Sequence, residues 1–427
     1  MRGAKKGTAQ ERAVASAGAL VRRFATGLLG VAALAVGLVL PRTAYAEDVK
    51  IGILFGVTGE FASFARPLLD AVRLAADEVN SNGGVLNGQK LRTFLGDTMG
   101  TPQGGVDAAN RLVEADHVSA IVGPNTSLVI LAVAHAVAIP KGVLLISPSA
   151  TAAAITGLED KDFVFRLAPS DADQGWMLAK LVYARGFTKV AVTYVDNDYG
   201  REMNTIFRFN FENYGGSITA AQPHEPNKSN YIPELKALSQ YDPQALVVIS
   251  YAASGGTIIV KQALENGFFR QLIGPHSMMD PLLIKEVGAD KLKSMFFTAP
   301  SVDPNTSAAK KFDKIYGATF RSARQRLYVA QTYDAVMLTA LAIEQAGSSD
   351  RNKIPAALRQ VCCAPGEVIE PGEWAKAKAE IDAGKKINYE GASGNCDFDE
   401  NGDIRGVYGH YVIEDGTFKQ VELMRPE

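Results

Sequence analysis

Two short stretches concentrate hydroxyl and amide chemistry: Pro124-Asn125-Thr126-Ser127 and Ser147-Pro148-Ser149-Ala150-Thr151, directly after the apolar runs Ile121-Val122 and Leu144-Leu145-Ile146. Each reads as a turn from the carboxyl end of a strand into a helix. The hydroxyls of Thr126, Ser127, Ser149 and Thr151 suit helix N-caps, and helix amino termini present unpaired N–H groups. Two such turns on neighbouring strands would hold a carboxylate with amides and alcohols instead of a buried cation, at the edge where open α/β sheets bind ligands.

Other candidate chemistry falls away on inspection. Gly56-Val57-Thr58-Gly59 occupies the place of a phosphate loop, but neither G-x-x-x-x-G-K-[ST] nor G-x-G-x-x-G occurs, and Glu60 would repel phosphate. The run from Asp397 to Asp403 has the alternating oxygens and sixth-position Gly of a calcium loop, yet its twelfth position is Tyr408, so it reads as an acidic turn. His117, His135, His224, His276 and His410 lack metal-ligand spacing, and there is no G-x-S-x-G elbow. These residues describe a binding protein, not an enzyme, with no metal or cofactor.

The elements that must position the turns repeat one rhythm of apolar run, small-residue turn and amphipathic stretch. Residues 49–54 read as a strand, and Leu68, Leu69, Val72, Ala75, Ala76 and Val79 fall at helical spacing before Asn82-Gly83-Gly84. Further strands are expected at 91–95, 120–122, 143–146, 190–194, 245–249 and 295–298, with helices at roughly 104–115, 127–138, 172–185, 200–214, 231–239, 255–266, 305–320 and 329–346. Such alternation implies parallel sheets covered on both faces, a doubly wound α/β fold. One sheet of all these strands would be unusually wide, so two lobes are expected. The first takes 47–168 with 299–360. The second takes 169–298 with 361–427, whose end folds into β-hairpins packed on that lobe. Crossings near Pro169-Ser170-Asp171 and Thr298-Ala299-Pro300-Ser301 would serve as hinges.

The 427 residues are 47% hydrophobic and 21% charged, ordinary for a globular chain. The formal charge of −2 conceals an asymmetry: residues 1–46 hold seven Lys/Arg and one acid, leaving 37 basic against 45 acidic residues, a net charge of −8. An acidic body without a basic stripe excludes nucleic acid as a partner. Arg2, Lys5, Lys6, Arg12, Arg22 and Arg23, then an uncharged run over 24–40, then Ala44-Tyr45-Ala46, follow the order of a cleavable export signal, cut after Ala46. The mature protein is expected in a bacterial periplasm, outside the membrane. In that oxidising compartment Cys396 is expected to pair with Cys362 or Cys363.

In chain order, Gly52-Ile53, Thr58-Gly59, Ala76-Asp77-Glu78-Val79-Asn80, Gly83-Gly84-Val85-Leu86-Asn87-Gly88, Val122-Gly123-Pro124, the stretch Ser147 to Thr151, Phe165-Arg166, Asp171-Ala172-Asp173-Gln174-Gly175, Asp198-Tyr199-Gly200 and Tyr389-Glu390-Gly391-Ala392-Ser393-Gly394 form a pattern. It resembles the periplasmic solute-binding proteins of branched-chain amino-acid ABC transporters, type I periplasmic binding proteins of the leucine/isoleucine/valine-binding kind. The resemblance implies a monomer whose lobes close on a small ligand, most simply an amino acid, and deliver it to permease subunits. It places the carboxylate on Ser127 (with Thr126) and Thr151, an amino group against the backbone around Ser149 and Ala150, an aromatic wall at Phe64 and a covering aromatic at Tyr199. The pattern departs from the family where Gly274-Pro275 is followed by His276 in place of the Glu that pairs with the ligand ammonium. The aromatic expected after 245–249 is displaced to Tyr251 or replaced by Ala252. An unpaired buried ammonium costs several kcal/mol, so the ligand is either an amino acid held more weakly or another aromatic or aliphatic acid or amide. A ligand sensor in place of a transport component is the other reading.

Overall fold

The computed structural model describes residues 47–320 and 327–426; the expected export signal at 1–46 lies outside them. Strands β1 (Val49–Phe55), β2 (Leu91–Asp97), β3 (Ala120–Val122), β4 (Leu144–Ser147) and β5 (Val164–Arg166) form one sheet in the order β2-β1-β3-β4-β5, every pair parallel. Helices cover both faces, so β3 and β4 are buried throughout and read as uninterrupted apolar runs. Val49, Ile51 and Ile53 pack with helices Ala62–Ser81 and Val329–Ala346 on one face. Leu54, Ile121 and Leu145 pack with helices Pro102–Glu114 and Ser127–Val133 on the other.

Strands β6 (Lys189–Val195), β7 (Ser217–His224), β8 (Ala245–Ile249), β9 (Leu272–Pro275) and β10 (Phe296–Ser301) build a second parallel sheet. Short strands β11 (Glu367–Ile369), β12 (Ile387–Gly391) and β13 (Gly394–Asn395) form a small separate sheet. The hairpin β14 (Val407–Glu414) and β15 (Thr417–Met424) adds antiparallel to β10, giving the order β15-β14-β10-β9-β8-β6-β7. Within the two main sheets, the apolar-run criterion missed three strands for local reasons. β5 has three residues, β7 is a half-buried edge strand of mixed polarity, and β9 contains Gly274-Pro275.

The chain crosses between the sheets three times: after β5, after β10, and between Ile404 and β14. The first and third crossings are bolted together. Arg166, fully buried, meets Asp403 through Nε–Oδ1 at 2.6 Å and Nη2–Oδ2 at 2.7 Å, while its Nη1 donates to the carbonyls of Thr151 (2.9 Å) and Ala152 (2.8 Å). Tyr408 donates to the Ser170 carbonyl at 3.0 Å. The acidic turn at 397–403 thus spends Asp403 on Arg166, and Asp399 Oδ1 accepts from the N–H groups of Asn401 and Asp403.

The expected assignment of 361–427 to the second lobe requires correction. Only β14 and β15 join the second sheet; Val361, Ile369, Trp374, Ile387, Tyr389, Ala392 and Ile404 belong to the core of the first. The reason lies in helix Val329–Ala346, whose residues 329–344 are all buried. A helix apolar on every side must be covered on every side, and the tail supplies the outer cover. Buried Asp334 accepts four hydrogen bonds from the turn, from Tyr389 Oη (2.8 Å), Ala392 N (2.8 Å), Ser393 N (2.7 Å) and Ser393 Oγ (2.6 Å). Trp374 Nε1 donates to the Gly84 carbonyl at 3.2 Å.

The cysteine pairing differs too. Cys362 is bonded to its neighbour Cys363, and Cys396 is a buried free thiol. The sulfur of Cys396 points inward against Gly391, where a Cβ would lie 2.6 Å from it.

Candidate functional site

The carboxyl ends of β3 and β4 face those of β8 and β9 across a cleft whose volume, mouth included, is about 650 Å3. The first lobe contributes Phe61, Phe64, Asn125, Thr126, Ser127, Ser149, Thr151, Leu327 and Tyr328; the second contributes Tyr199, Tyr251, His276, Ser277, Met279 and Asp280, among others. The cleft is closed: the Phe61 ring meets Tyr251 edge-on at 5.5 Å, His276 meets Tyr328 at 5.9 Å, and Ala153 N donates to Glu202 Oε2 at 2.9 Å.

The turn after β3 is held close to the sheet at Gly123, whose φ of +120° and whose absent Cβ, which would sit 2.2 Å from the Leu54 carbonyl oxygen, admit only glycine. Asn125 Oδ1 accepts from Gly56 N at 3.0 Å, which aims its amide nitrogen the other way. Asn125 Nδ2 and Thr126 Oγ1 are buried and have no hydrogen-bond partner among the described residues. Buried donors in this condition are suited to an incoming acceptor, because leaving them unpaired costs about 1–3 kcal/mol each.

The turn after β4 is largely satisfied from within. Ser147 Oγ accepts from Ala150 N (3.0 Å) and Ser149 N (3.3 Å), and Ser127 Oγ accepts from Thr151 N (3.1 Å) and Ala152 N (3.1 Å). The two turns therefore interlock. Ala150 is the exception among the expected site residues: its side chain packs in the first lobe's core and it does not line the cleft, because Ser147 captures its N–H. Thr151 Oγ1 donates to Asp171 Oδ2 at 3.0 Å, and Asp171 N donates to the Thr151 carbonyl at 2.7 Å. Burial pushes the Asp171 carboxyl up to about 7, and its Oδ1 has no partner among the described residues.

On the second lobe, Gln174 Nε2 donates to the Thr298 carbonyl at 2.8 Å, which turns Oε1 toward His276 Nδ1 at 2.6 Å. Since Oε1 only accepts, His276 carries its proton on Nδ1 and offers Nε2 as an acceptor. Burial holds the imidazole down at about 3, so it is neutral. Tyr199 shares a 2.7 Å hydrogen bond with Ser277 Oγ, its ring lies 5.2 Å from Tyr251 and 5.8 Å from His276, and burial raises its phenol well above the ordinary range.

The cleft thus brings together Phe64, Thr126, Ser127, Ser149, Thr151, Tyr199, Tyr251 and His276, and not Ala150. It also contains residues outside the expected set. Asn125 follows Gly123-Pro124 in the first turn and was legible as part of it; Asp280 precedes Pro281 as a helix cap. Tyr328 carries no local signal: it is held at φ +66° with a buried hydroxyl lacking a partner among the described residues. Strain of this kind in a non-glycine residue concentrates at sites that use it. Among the described residues no group of three or more His, Cys, Asp or Glu is placed to hold a metal ion.

Comparison with known proteins agrees with this architecture. The family model described as "Periplasmic binding protein" matches residues 48–377. The chain is 26% identical over 367 residues to the leucine-, isoleucine-, valine-, threonine- and alanine-binding protein of Pseudomonas aeruginosa, covering 84% of this chain and 88% of that one. It is 27% identical over 406 residues to the chemotactic signal transduction system substrate-binding protein BasB of Halobacterium salinarum, covering 89% and 90%. Among solved structures, the leucine binding protein LivK of Thermotoga maritima superposes with a TM-score of 0.76 at 25% identity, over 88% of this chain and 99% of that one. These are substrate-binding proteins and not enzymes. The chain therefore belongs to the periplasmic binding protein family, in its type I, leucine/isoleucine/valine-binding-like group.

Proposed function

We propose that the protein is a periplasmic solute receptor of an ABC uptake system, which captures a small carboxylate-bearing solute, foremost a branched-chain amino acid, between its closing lobes and delivers it to the permease. The observation that carries this reading is the pair of interlocked turns after β3 and β4, with Asn125 Nδ2 and Thr126 Oγ1 buried and unpaired against the cleft, opposite Tyr199, Tyr251 and His276. A wall of neutral donors suits a carboxylate, and the aromatic rings suit an apolar side chain. Relatives named for binding leucine, isoleucine and valine support the same ligand class.

Two observations favour narrower alternatives. Neutral His276 in place of a carboxylate suits an acid without an ammonium, such as an aromatic acid or an amide. Likeness to a chemotactic substrate-binding protein supports a sensing role. Mass spectrometry of solute co-purified with the native protein, followed by calorimetry with L-valine, L-isoleucine and benzoate, separates the ligand classes. Thr126→Val, which is isosteric, is expected to weaken binding of any carboxylate by about 1–3 kcal/mol without lowering stability, since Thr126 Oγ1 has no internal partner among the described residues. Unchanged affinity would remove Thr126 from the site.

A further inference from the structure

Both walls of the cleft are anchored by one turn of one helix. Asp171 and Gln174 stand three residues apart at the start of helix Asp171–Ala184, a spacing that puts them on one face, and both are fully buried. Asp171 holds first-lobe Thr151, and Gln174 holds second-lobe His276. Neither lines the cleft, so each acts on a ligand only through the residue it holds. The direction of the second hydrogen bond is fixed by a group that cannot be reversed. The Thr298 carbonyl only accepts, so the Gln174 amide must turn Nε2 toward it (2.8 Å) and Oε1 toward His276 Nδ1 (2.6 Å). Nε2 of His276 makes no hydrogen bond to the described residues, and it is left as a bare lone pair on a ring that lines the cleft. Tyr199 and Tyr328 meet that ring edge-on at 5.8 and 5.9 Å, which steadies its plane from two sides.

We infer that Gln174 is a positioning residue that sets the cleft's specificity: by keeping the proton of His276 on Nδ1, it makes the second-lobe wall an acceptor, so that a solute held by its carboxylate at the first-lobe turns must present an N–H or O–H on the facing side. This rests on the carboxylate-receptor reading above. A carbonyl oxygen at that place would set lone pair against lone pair. Moving the proton to Nε2 gives no escape, because Nδ1 and Gln174 Oε1 would then face each other as two acceptors 2.6 Å apart. Nor can the glutamine turn its amide over, since its other end is pinned to the Thr298 carbonyl.

Heteronuclear NMR of protein labelled at the histidine nitrogens reads the proton's position directly, with the His276 signals assigned by their loss in His276→Asn. The ligand-free native protein is expected to carry the proton on Nδ1, and Gln174→Met, which keeps the side-chain length and removes the acceptor, is expected to show a mixture in which Nε2 is protonated as well. α-Hydroxyisovalerate and α-ketoisovalerate, alike in skeleton and carboxylate, report the consequence by calorimetry. The native protein is expected to bind the hydroxy acid at least about tenfold more tightly than the keto acid, and Gln174→Met to bring the two within about threefold of each other. A native proton on Nε2 overturns the inference, as does a keto acid bound as tightly as the hydroxy acid by the native protein. A preference for the hydroxy acid that Gln174→Met leaves unchanged overturns it too, and makes Gln174 a structural residue only. If Gln174→Met does not fold, the two native measurements decide. Binding of neither acid by the native protein overturns the specificity role together with the receptor reading, whereas the wrong tautomer in a protein that binds the hydroxy acid overturns the inference alone.

Discussion

Asp171 shows how one residue joins the cleft to the lobes' relative position. It begins a second-lobe helix, yet its carboxyl group accepts a hydrogen bond from the hydroxyl of first-lobe Thr151, and its charge is felt by Tyr199 and Tyr328. The other charged groups near it are Arg166, which favours ionisation but is spent on Asp403, and Glu202, which opposes it. The carboxyl is raised by burial to about 7, above the ~3.9 of an unfolded chain. Its stabilising contribution is therefore complete below about pH 4 and is lost as pH rises through about 7. The native protein is expected to lose stability as pH rises from 5 to 8.5, and Asp171→Asn is expected to flatten that decline, as measured by urea unfolding across the range. An unaltered pH profile would show that the raised carboxyl does not govern it.

At the scale of elements, the decisive contact is between the first and third crossings. Arg166 sits at the end of β5, and Asp403 closes a turn 237 residues later. Removing Asp403 alone strands a buried guanidinium, for which the expected cost is about 3–5 kcal/mol, while replacing both residues with leucine is expected to recover a large part of it. Chemical unfolding of Asp403→Ala and of the double variant checks this. An equal loss in both would indicate that packing, not charge, holds the crossings. The helices around β3 and β4 were legible because apolar periodicity and the small-residue turns agree there. The tail was not: Pro365 to Tyr389 is rich in Gly, Pro and charge, and its few apolar anchors, Ile369, Trp374 and Ile387, acquire meaning only against a helix buried on all sides.

For the whole molecule, the proposed function makes closure of the lobes the coordinate to measure. Phe61, Ala153 and Tyr328 reach across to Tyr251, Glu202 and His276; on the proposed reading, a ligand's differential affinity for the closed state would set the population. Phe61→Ala removes one bridge between the lobes. It is expected to expand the ligand-free protein in small-angle scattering, to regain native dimensions at saturating L-valine, and to weaken L-valine affinity by about 0.5–1.5 kcal/mol. Scattering curves identical to the native protein with and without ligand would argue against hinge closure.

The amino-acid order alone determined the alternating α/β architecture, the two hydroxyl-bearing turns and the likeness to branched-chain amino-acid binders, because each depends on residues within a few positions of one another. Only the tertiary structure decided that Ser147 and Ser127 consume the amides of the second turn, that Cys396 remains a thiol while Cys362 meets Cys363, that Tyr328 and Asp280 enter the cleft, and that the tail covers the first lobe. These are contacts between segments far apart in the chain. Their partners are set by which surfaces packing leaves uncovered and which polar atoms burial leaves in want of a hydrogen bond, and neither quantity exists until the lobes have formed.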